Sequence, residues 1–152
     1  MTPIDLTTSR DRALAAFALP ADRYDRSYAA GKWTIRELLI HIADVESVFL
    51  DRVRRVLAQD KALLLAIEPD RWHARLATPK RDLAHCAALF AACRATMIEL
   101  ASDLSEADLA RTGVHSEKGL LSLSQILSAA AWHAGRHLDQ VEAARDGHGW
   151  TP

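Results

Sequence analysis

The sequence predicts an all-α protein, a four-helix bundle with short extra helical turns in its connections. Three observations carry this prediction. The 152 residues include 28 alanines against 6 glycines and 5 prolines, and alanine is the strongest helix former. Long segments repeat apolar residues with the 3.6-residue period of a helix. We find no internal repeat and no strand-like alternation of useful length, so the periodic segments are expected to pack as a bundle.

The composition favours one ordered, soluble domain and excludes several classes of protein. With 49% hydrophobic and 26% charged residues, residues 1–152 can bury a single core. The net charge is -1 and the positive charges are dispersed, so we expect no nucleic acid as a partner. The apolar runs are too short for a membrane span of about 20 residues, and no signal peptide is visible. Cys86 and Cys93 lie too far apart along one helix to bridge, which indicates reduced thiols and a cytoplasmic location.

Start and stop signals set the bounds of the first two helices. Thr2 and Pro3 begin the first helix, which should run to about residue 17 and be followed by a polar connector over residues 21–31. The second helix, over residues 34–57, opens with a capping box in which Thr34 is followed three residues later by a glutamate. Its buried stripe consists of Ile35, Leu38, Leu39, Ile42, Val45, Phe49, Val53 and Val56.

The middle of the chain predicts one more long helix and several short pieces. Residues 60–67 read as a short helix that Pro69 breaks, and residues 71–78 as a connection. A third long helix is expected over residues 80–102. The residues that it should bury are Leu83, Cys86, Ala87, Phe90, Met97 and Ala101.

Two further helix N-caps are predicted in the last third of the chain. Ser105 should cap one or two short turns, which residues 112–113 close. Ser122 and Gln125 form a capping box for the last helix, which should end near residue 146 with Gly147 as its left-handed C-terminal residue. Its buried stripe consists of Leu123, Ile126, Leu127, Ala130, Ala134, His137, Leu138 and Val141.

Three histidines are the candidate metal ligands. His133 and His137 are four residues apart on the last helix, so both imidazoles can reach one divalent cation. His41 lies on the flank of the apolar stripe of the second helix and is the best candidate for a third ligand. Three neutral imidazoles would leave coordination positions for water or substrate. Gln140 shares a flank with His133 and could hydrogen-bond a metal-bound water molecule or a substrate.

Other polar residues invite a functional interpretation, but the structural interpretation is favoured for them. Glu37 and Asp44 flank His41 at helical spacing, and a carboxylate there could orient a ligating imidazole. A solvated helix face is the favoured interpretation of both. The remaining histidines are expected to be solvated: His73, His85, His115 and His148.

Two stretches resemble a known family. Residues 31–44, GKWTIRELLIHIAD, resemble the second helix of the DinB-like (DinB/YfiT-like) metalloprotein superfamily, and residues 132–140 resemble its last helix. The chain is most similar to the branch that contains bacillithiol S-transferases and proteins named as metal-dependent hydrolases. The loop over residues 66–72 and the closing Gly149 and Trp150 add to this likeness, which covers residues 10–150.

The resemblance implies a four-helix bundle, often dimeric, in which His41, His133 and His137 bind zinc or nickel. It implies that related proteins join a low-molecular-weight thiol to an electrophile, isomerise a substrate with thiol assistance, or have no known reaction. This chain carries Arg136 and Gln140 where the S-transferase branch would have histidines. That departure bears on the thiol substrate more than on the metal site.

The leading functional hypothesis is an enzyme whose cation lowers the pKa of a small molecule in the open position. With a thiol co-substrate the reaction would be S-transfer to an electrophile, and with water it would be hydrolysis. The rival from another class is a non-catalytic, metal-stabilised binding or stress-response module. We expect a small-molecule substrate and a homodimer.

Overall fold

The computed structural model describes residues 5–77 and 79–151. A single 3₁₀ turn, Ala21–Arg23, interrupts the first connection. In chain order the elements are α1 (Leu6–Phe17), α2 (Ile35–Ala58), β1 (Ala62–Leu64), α3 (Pro69–Leu76), α4 (Leu83–Ala101), α5 (Glu106–Ala110), β2 (Thr112–His115), β3 (Gly119–Ser122) and α6 (Leu123–Asp146).

The four long helices form the predicted bundle. α2 packs against both α4 and α6, and α1 packs against the same two helices. α1 therefore lies diagonally across the bundle from α2. All eight residues of the stripe predicted for α2 are buried, so the apolar period of this helix determines which side faces the core.

The first helix begins later than the sequence suggested. α1 starts at Leu6 because Asp5 is its N-cap, with a side chain that accepts hydrogen bonds from the amides of Thr7 and Thr8. A carboxylate in that position satisfies amide groups that have no partner inside the helix. Thr2 and Pro3 lie outside the described residues.

The prediction of a short helix over residues 60–67 is wrong, as is the expectation that the chain lacks strands. β1 (Ala62–Leu64) pairs in parallel with β2, and β2 pairs antiparallel with β3 in a three-stranded sheet. Ala62 and Leu64 are buried while Leu63 is exposed. This alternation over three residues is too short to be distinguished from a helix segment in the sequence, and pairing with a distant strand decides the conformation.

Residues 112–113 also belong to this sheet and do not close a helical turn. Gly113 in β2 lies against the core, where an added Cβ would meet side-chain carbons of Leu64 and Val56 at 3.0 Å. The glycine allows β2 to approach β1 and α2 closely.

The connection predicted over residues 71–78 contains a helix. α3 (Pro69–Leu76) begins at Pro69, the residue expected to break a helix. Proline is well suited to the first helical turn, where its missing N–H group has no acceptor in any case. Thr78 lies outside the described residues.

The third long helix is confirmed as α4, but it is shorter than the predicted residues 80–102. It begins after Asp82, whose side chain accepts a hydrogen bond from the amide of Ala84. It is the one helix in the described part of the chain whose length and composition would allow it to cross a bilayer. In the bundle it carries Arg94, whose side chain is 0% exposed and pairs with Glu46 of α2.

The caps predicted for the last third of the chain are present. Ser105 and Ser122 each form a capping box, with Asp108 and Gln125 respectively. α6 ends at Gly147, which adopts the left-handed conformation with φ of 75°. α6 therefore presents its histidines towards α2 on a helix that is fixed at both ends.

Candidate metal centre

The structure brings the three predicted histidines together between α2 and α6. Nε2 of His41 lies 3.1 Å from Nε2 of His133. One ring nitrogen from each of His41, His133 and His137 can be chosen so that all lie within 4.8 Å of one another. Two nitrogens bound to one tetrahedral Zn²⁺ at its usual bond length stand about 3.3 Å apart. The spacing of His41 and His133 therefore suits a common divalent cation, with His137 close by as a third donor.

Burial keeps these imidazoles in the form that binds metals. Removal from water, with smaller contributions from neighbouring histidines, lowers the pKa of His41 to about 3 and that of His133 to about 2. The pKa of His137 is also lowered, chiefly by burial. All three rings are therefore neutral near pH 7, and a neutral imidazole nitrogen is a metal ligand without the loss of a proton.

Gln140 lies behind His137. Its Oε1 is 2.8 Å from Nδ1 of His137, so Nδ1 carries the hydrogen and Nε2 is left with a free lone pair. Gln140 is buried, and its amide nitrogen lies 3.5 Å from the hydroxyl of Tyr28. Its contact in the structure is thus with a candidate ligand, which it orients.

The two carboxylates considered as partners of His41 face elsewhere. Glu37 lies 3.0 Å from Nε2 of His73 and also caps α2 at Thr34. Asp44 forms a two-point ion pair with Arg81, at 2.6 and 2.9 Å. Neither orients His41, and neither has the purely solvated position that the sequence favoured.

Trp33 covers one side of the histidine cluster. Its ring meets the ring of His41 edge to face at 5.0 Å and stacks on His73 at 4.5 Å. The contact between Glu37 and Nε2 of His73 orients the ring that stacks on Trp33. The sequence did not identify the role of Trp33, although its position just before the capping box of α2 is a signal for it.

The expectation that four other histidines are solvated is half right. His85 and His148 are exposed. His73 is half-buried in the stack on Trp33. His115 is 5% exposed, and its Nδ1 accepts hydrogen bonds from the amides of Glu117 and Lys118. Both errors arise because residues predicted as loops belong to α3 and β2, which pack against the site.

A cavity of about 470 Å³ adjoins the three histidines. Its apolar wall includes Phe49, whose ring centre is 5.8 Å from that of His133. Its polar wall includes Arg52, Lys118 and Arg136. Arg136 is held between two indoles, with its guanidinium 5.5 Å from the ring centre of Trp132 and 4.7 Å from that of Trp150. The cavity has the size of a small-molecule site.

Fold and site together define a class of protein: a helical bundle with three clustered imidazoles that face a cavity. Residues 5–141 match the family model of the DinB superfamily. The chain belongs to this superfamily, in agreement with the motifs around His41 and His133.

Several relatives carry the name "putative metal-dependent hydrolase". A protein of Oceanobacillus iheyensis named "putative metal-dependent hydrolase" is 27% identical over 79% of this chain and 69% of its own length. One of Bacillus licheniformis with the same description is 26% identical over 90% of this chain and 78% of its own length.

A solved structure has the same fold. YfiT from Bacillus subtilis, described as a probable metal-dependent hydrolase with an unusual four-helix bundle topology, matches with a TM-score of 0.79 at 19% identity. The match covers 93% of this chain and 85% of YfiT. At this level of identity the likeness establishes the bundle and its topology.

Proposed function

We propose that His41, His133 and His137 bind one divalent cation and that the chain is a metal-dependent enzyme. The observation that carries this proposal is the convergence of three buried, neutral imidazoles from two helices at the edge of a cavity. Zinc and nickel are the expected metals, because imidazole suits both ions. Gln140 would hold His137 in the tautomer that leaves Nε2 available to the cation.

The cavity favours an enzyme over a closed structural site. A structural metal is enclosed by four protein ligands, whereas a catalytic metal has three and faces space for a small molecule. The described residues offer three imidazoles and an adjoining volume of about 470 Å³. When bound, the cation would lower the pKa of a thiol or a water molecule beside it.

We propose S-transfer from a low-molecular-weight thiol to an electrophile as the reaction. A free thiol has a pKa of about 8.5 and water one of about 15.7. The cation therefore has to lower the pKa of a thiol much less to give thiolate than it has to lower the pKa of water to give hydroxide. Glu37 and Asp44, the carboxylates nearest to His41 in sequence, are engaged by His73 and Arg81. The thiol route needs neither of them. The thiol proton passes to solvent, the sulfur forms a bond to the electrophilic carbon, and the leaving group departs from that carbon with the bonding electrons, as chloride does from monochlorobimane.

Hydrolysis is the second candidate, favoured by the names of the relatives. It would use the same cation and cavity with water in place of the thiol. The third candidate is a metal-stabilised binding or stress-response module, which would retain its metal without turnover. A cytoplasmic location remains part of the proposal and is supported by the unpaired thiols of Cys86 and Cys93.

Elemental analysis of the purified chain, followed by a thiol screen, tests the proposal. We expect about one zinc or nickel ion per chain, and thiol conjugation to monochlorobimane with release of chloride. The conjugation should disappear after chelation and return when metal is restored. Turnover of ester or amide substrates without conjugation would favour the hydrolase. Metal binding without either activity would favour the binding module, and absence of metal at any supplied concentration would refute the centre itself.

The expected homodimer remains a prediction. Three exposed apolar side chains, Leu63, Val114 and Leu120, lie side by side on neighbouring strands of the sheet. Such a patch is a suitable contact for a second copy. Sedimentation velocity of the parent and of Leu120→Glu tests this, since a dimer through the sheet should dissociate in the variant.

A further inference from the structure

Arg52 of α2 lies at the junction of two cavities. It lines the cavity beside the histidines and also a second cavity of about 600 Å³. Val48 and Ile67 line both cavities as well. The guanidinium lies 5.6 Å from the ring centre of Phe49, the same ring that packs near His133. A molecule at the histidines could therefore extend past Arg52 into the second cavity.

The guanidinium of Arg52 is short of partners. Within residues 5–77 and 79–151 its one hydrogen bond runs from Nη2 to the carbonyl oxygen of Leu65, at 2.7 Å, and no carboxylate lies within ion-pair distance. Its Nε is buried without an acceptor in these same residues. A buried N–H group without an acceptor costs free energy, and a charged one costs more. An oxyanion from a ligand would compensate the charge of the guanidinium, which has no carboxylate partner in the described residues.

The charge of the cavity beside the histidines points to the same ligand. Arg52, Lys118 and Arg136 contribute three positive charges and Glu117 one negative charge, which leaves a net charge of +2 on the lining residues. The four lining histidines, His41, His115, His133 and His137, all have a lowered pKa and add nothing to this sum near pH 7. A cation at the histidines would make the cavity more positive. A low-dielectric cleft of one sign concentrates ligands of the opposite sign.

The second cavity has several apolar lining residues. Leu65, at 74% exposure, and Trp72 line it. Asp51, its acidic lining residue, is already paired with Arg55 at 2.6 Å. The second cavity can therefore cover an apolar or aromatic group without leaving a charge unpaired.

We propose that Arg52 binds a carboxylate or phosphate group of the substrate, and that the second cavity covers an apolar part of the same molecule. Arg52 is then a specificity-determining residue, and the substrate class is an acidic molecule with an apolar or aromatic extension. The proposed role of Arg52 rests on the proposed function in one respect: the bound molecule is taken to be the substrate of the reaction at the histidines.

Calorimetric titration of the metal-loaded chain with phenylbutyrate, phenyl phosphate and the uncharged phenylbutanol tests the proposal. Arg52→Gln should weaken binding of the anion that the parent prefers by at least about tenfold, the usual effect of a hydrogen bond to a charged group. Phenylbutanol should be affected by less than about twofold. Arg54→Gln is the matched control, because Arg54 is an exposed arginine of the same helix that lines neither cavity.

A second pair of variants tests the apolar cavity. Leu65→Glu should weaken phenylbutyrate binding about fivefold or more, because it removes apolar contact and adds a like charge. Leu89→Glu changes an exposed leucine of α4 in the same way and should leave binding unchanged. The proposal would be overturned if Arg52→Gln bound phenylbutyrate and phenyl phosphate each as tightly as the parent does. Unchanged binding of phenylbutyrate by Leu65→Glu would overturn it as well.

The same titrations on the chelated chain separate the two proposals. Anion binding that depends on the metal but not on Arg52 means that the carboxylate goes to the cation, which refutes the role of Arg52 and leaves the metal centre standing. Anion binding that depends on Arg52 in a chain that takes up no metal supports the subsite and refutes the proposed centre.

Discussion

Gln140 accepts a hydrogen bond from Nδ1 of His137 at 2.8 Å. This contact sets the tautomer of the imidazole and points Nε2 towards His41 and His133. Gln140→Met keeps the volume of the side chain and removes the acceptor, so we expect metal affinity to fall about 10- to 100-fold. Competition with a chromophoric chelator measures this.

Gln140→Glu provides the control for that change. Its carboxylate can accept the same hydrogen bond, so metal affinity should stay close to that of the parent or rise. If the Met variant binds metal as tightly as the parent, Gln140 does not position His137, and a direct contact with substrate becomes the better account of this residue.

Loss of one imidazole should remove the metal and the activity together. In His137→Ala only His41 and His133 remain of the three clustered donors, and two imidazoles are too few for tight metal binding. We expect metal content to fall from about one ion per chain to near zero, with conjugation lost in parallel, by elemental analysis and the bimane assay. His85→Ala removes an exposed histidine of α4 and should change neither quantity.

The circular dichroism spectrum of His137→Ala distinguishes an enzyme from a structural module. A helical spectrum retained without metal fits the catalytic proposal, since the bundle has an extensive apolar core of its own. Collapse of the helical signal on loss of metal, in a chain whose parent shows no turnover, would favour the structural module.

The four long helices and the three candidate ligands could be predicted because their signals are local. Thr34 and Ser122 occupy capping boxes that begin α2 and α6. From those starting points the helical period places His41, His133 and His137 on the margins of apolar faces. Nearby residues along one helix decide each of these positions, and the resemblance of both motifs to the DinB-like family indicates that the three histidines act together.

The strands and the outer parts of the site could not be predicted, since distant partners decide them. Leu64 is in a strand because it pairs with His115, more than fifty residues away. His73 joins the site through Trp33 and Glu37, which belong to another part of the chain. A short apolar run has no period long enough to anticipate such contacts.

The buried ion pair between Glu46 and Arg94 should be a major determinant of stability. Both side chains are almost fully buried, and Arg94 also donates to the carbonyl oxygen of Leu6, which ties α1 to α2 and α4. Burial raises the pKa of Glu46 even though the arginine opposes this effect. Glu46→Gln leaves a buried guanidinium uncompensated and should lower the free energy of unfolding by about 3–5 kcal/mol.

Urea denaturation measures this loss, and a double substitution shows its cause. Glu46→Leu with Arg94→Met replaces both charges by apolar groups of similar size and should recover most of the stability. A double variant as unstable as Glu46→Gln would mean that the hydrogen bonds from Arg94 to α1, rather than the uncompensated charge, dominate.

The metal-free protein should lose stability in mild acid because of its buried histidines. The folded-state pKa values are about 3 for His41 and about 2 for His133, each lowered by burial from the usual histidine value of 6.5. Below pH 6.5 the unfolded chain binds protons that the folded chain excludes, so the free energy of unfolding falls with pH. At pH 5 the loss is about 2 kcal/mol for each histidine. Above pH 6.5 neither state takes up these protons, and the contribution is constant.

Urea denaturation in a chelator at pH 7 and pH 5 measures this effect. The double variant His41→Leu/His133→Leu lacks both groups. The free energy of unfolding that it loses between pH 7 and pH 5 should therefore be smaller than the loss of the parent by about 4 kcal/mol. His85→Ala should keep the pH dependence of the parent, because this exposed histidine of α4 is not part of the buried cluster. Equal dependence in the parent and the double variant would mean that these imidazoles already take up protons in the folded chain, and the neutral, ligand-ready centre would then exist only at higher pH.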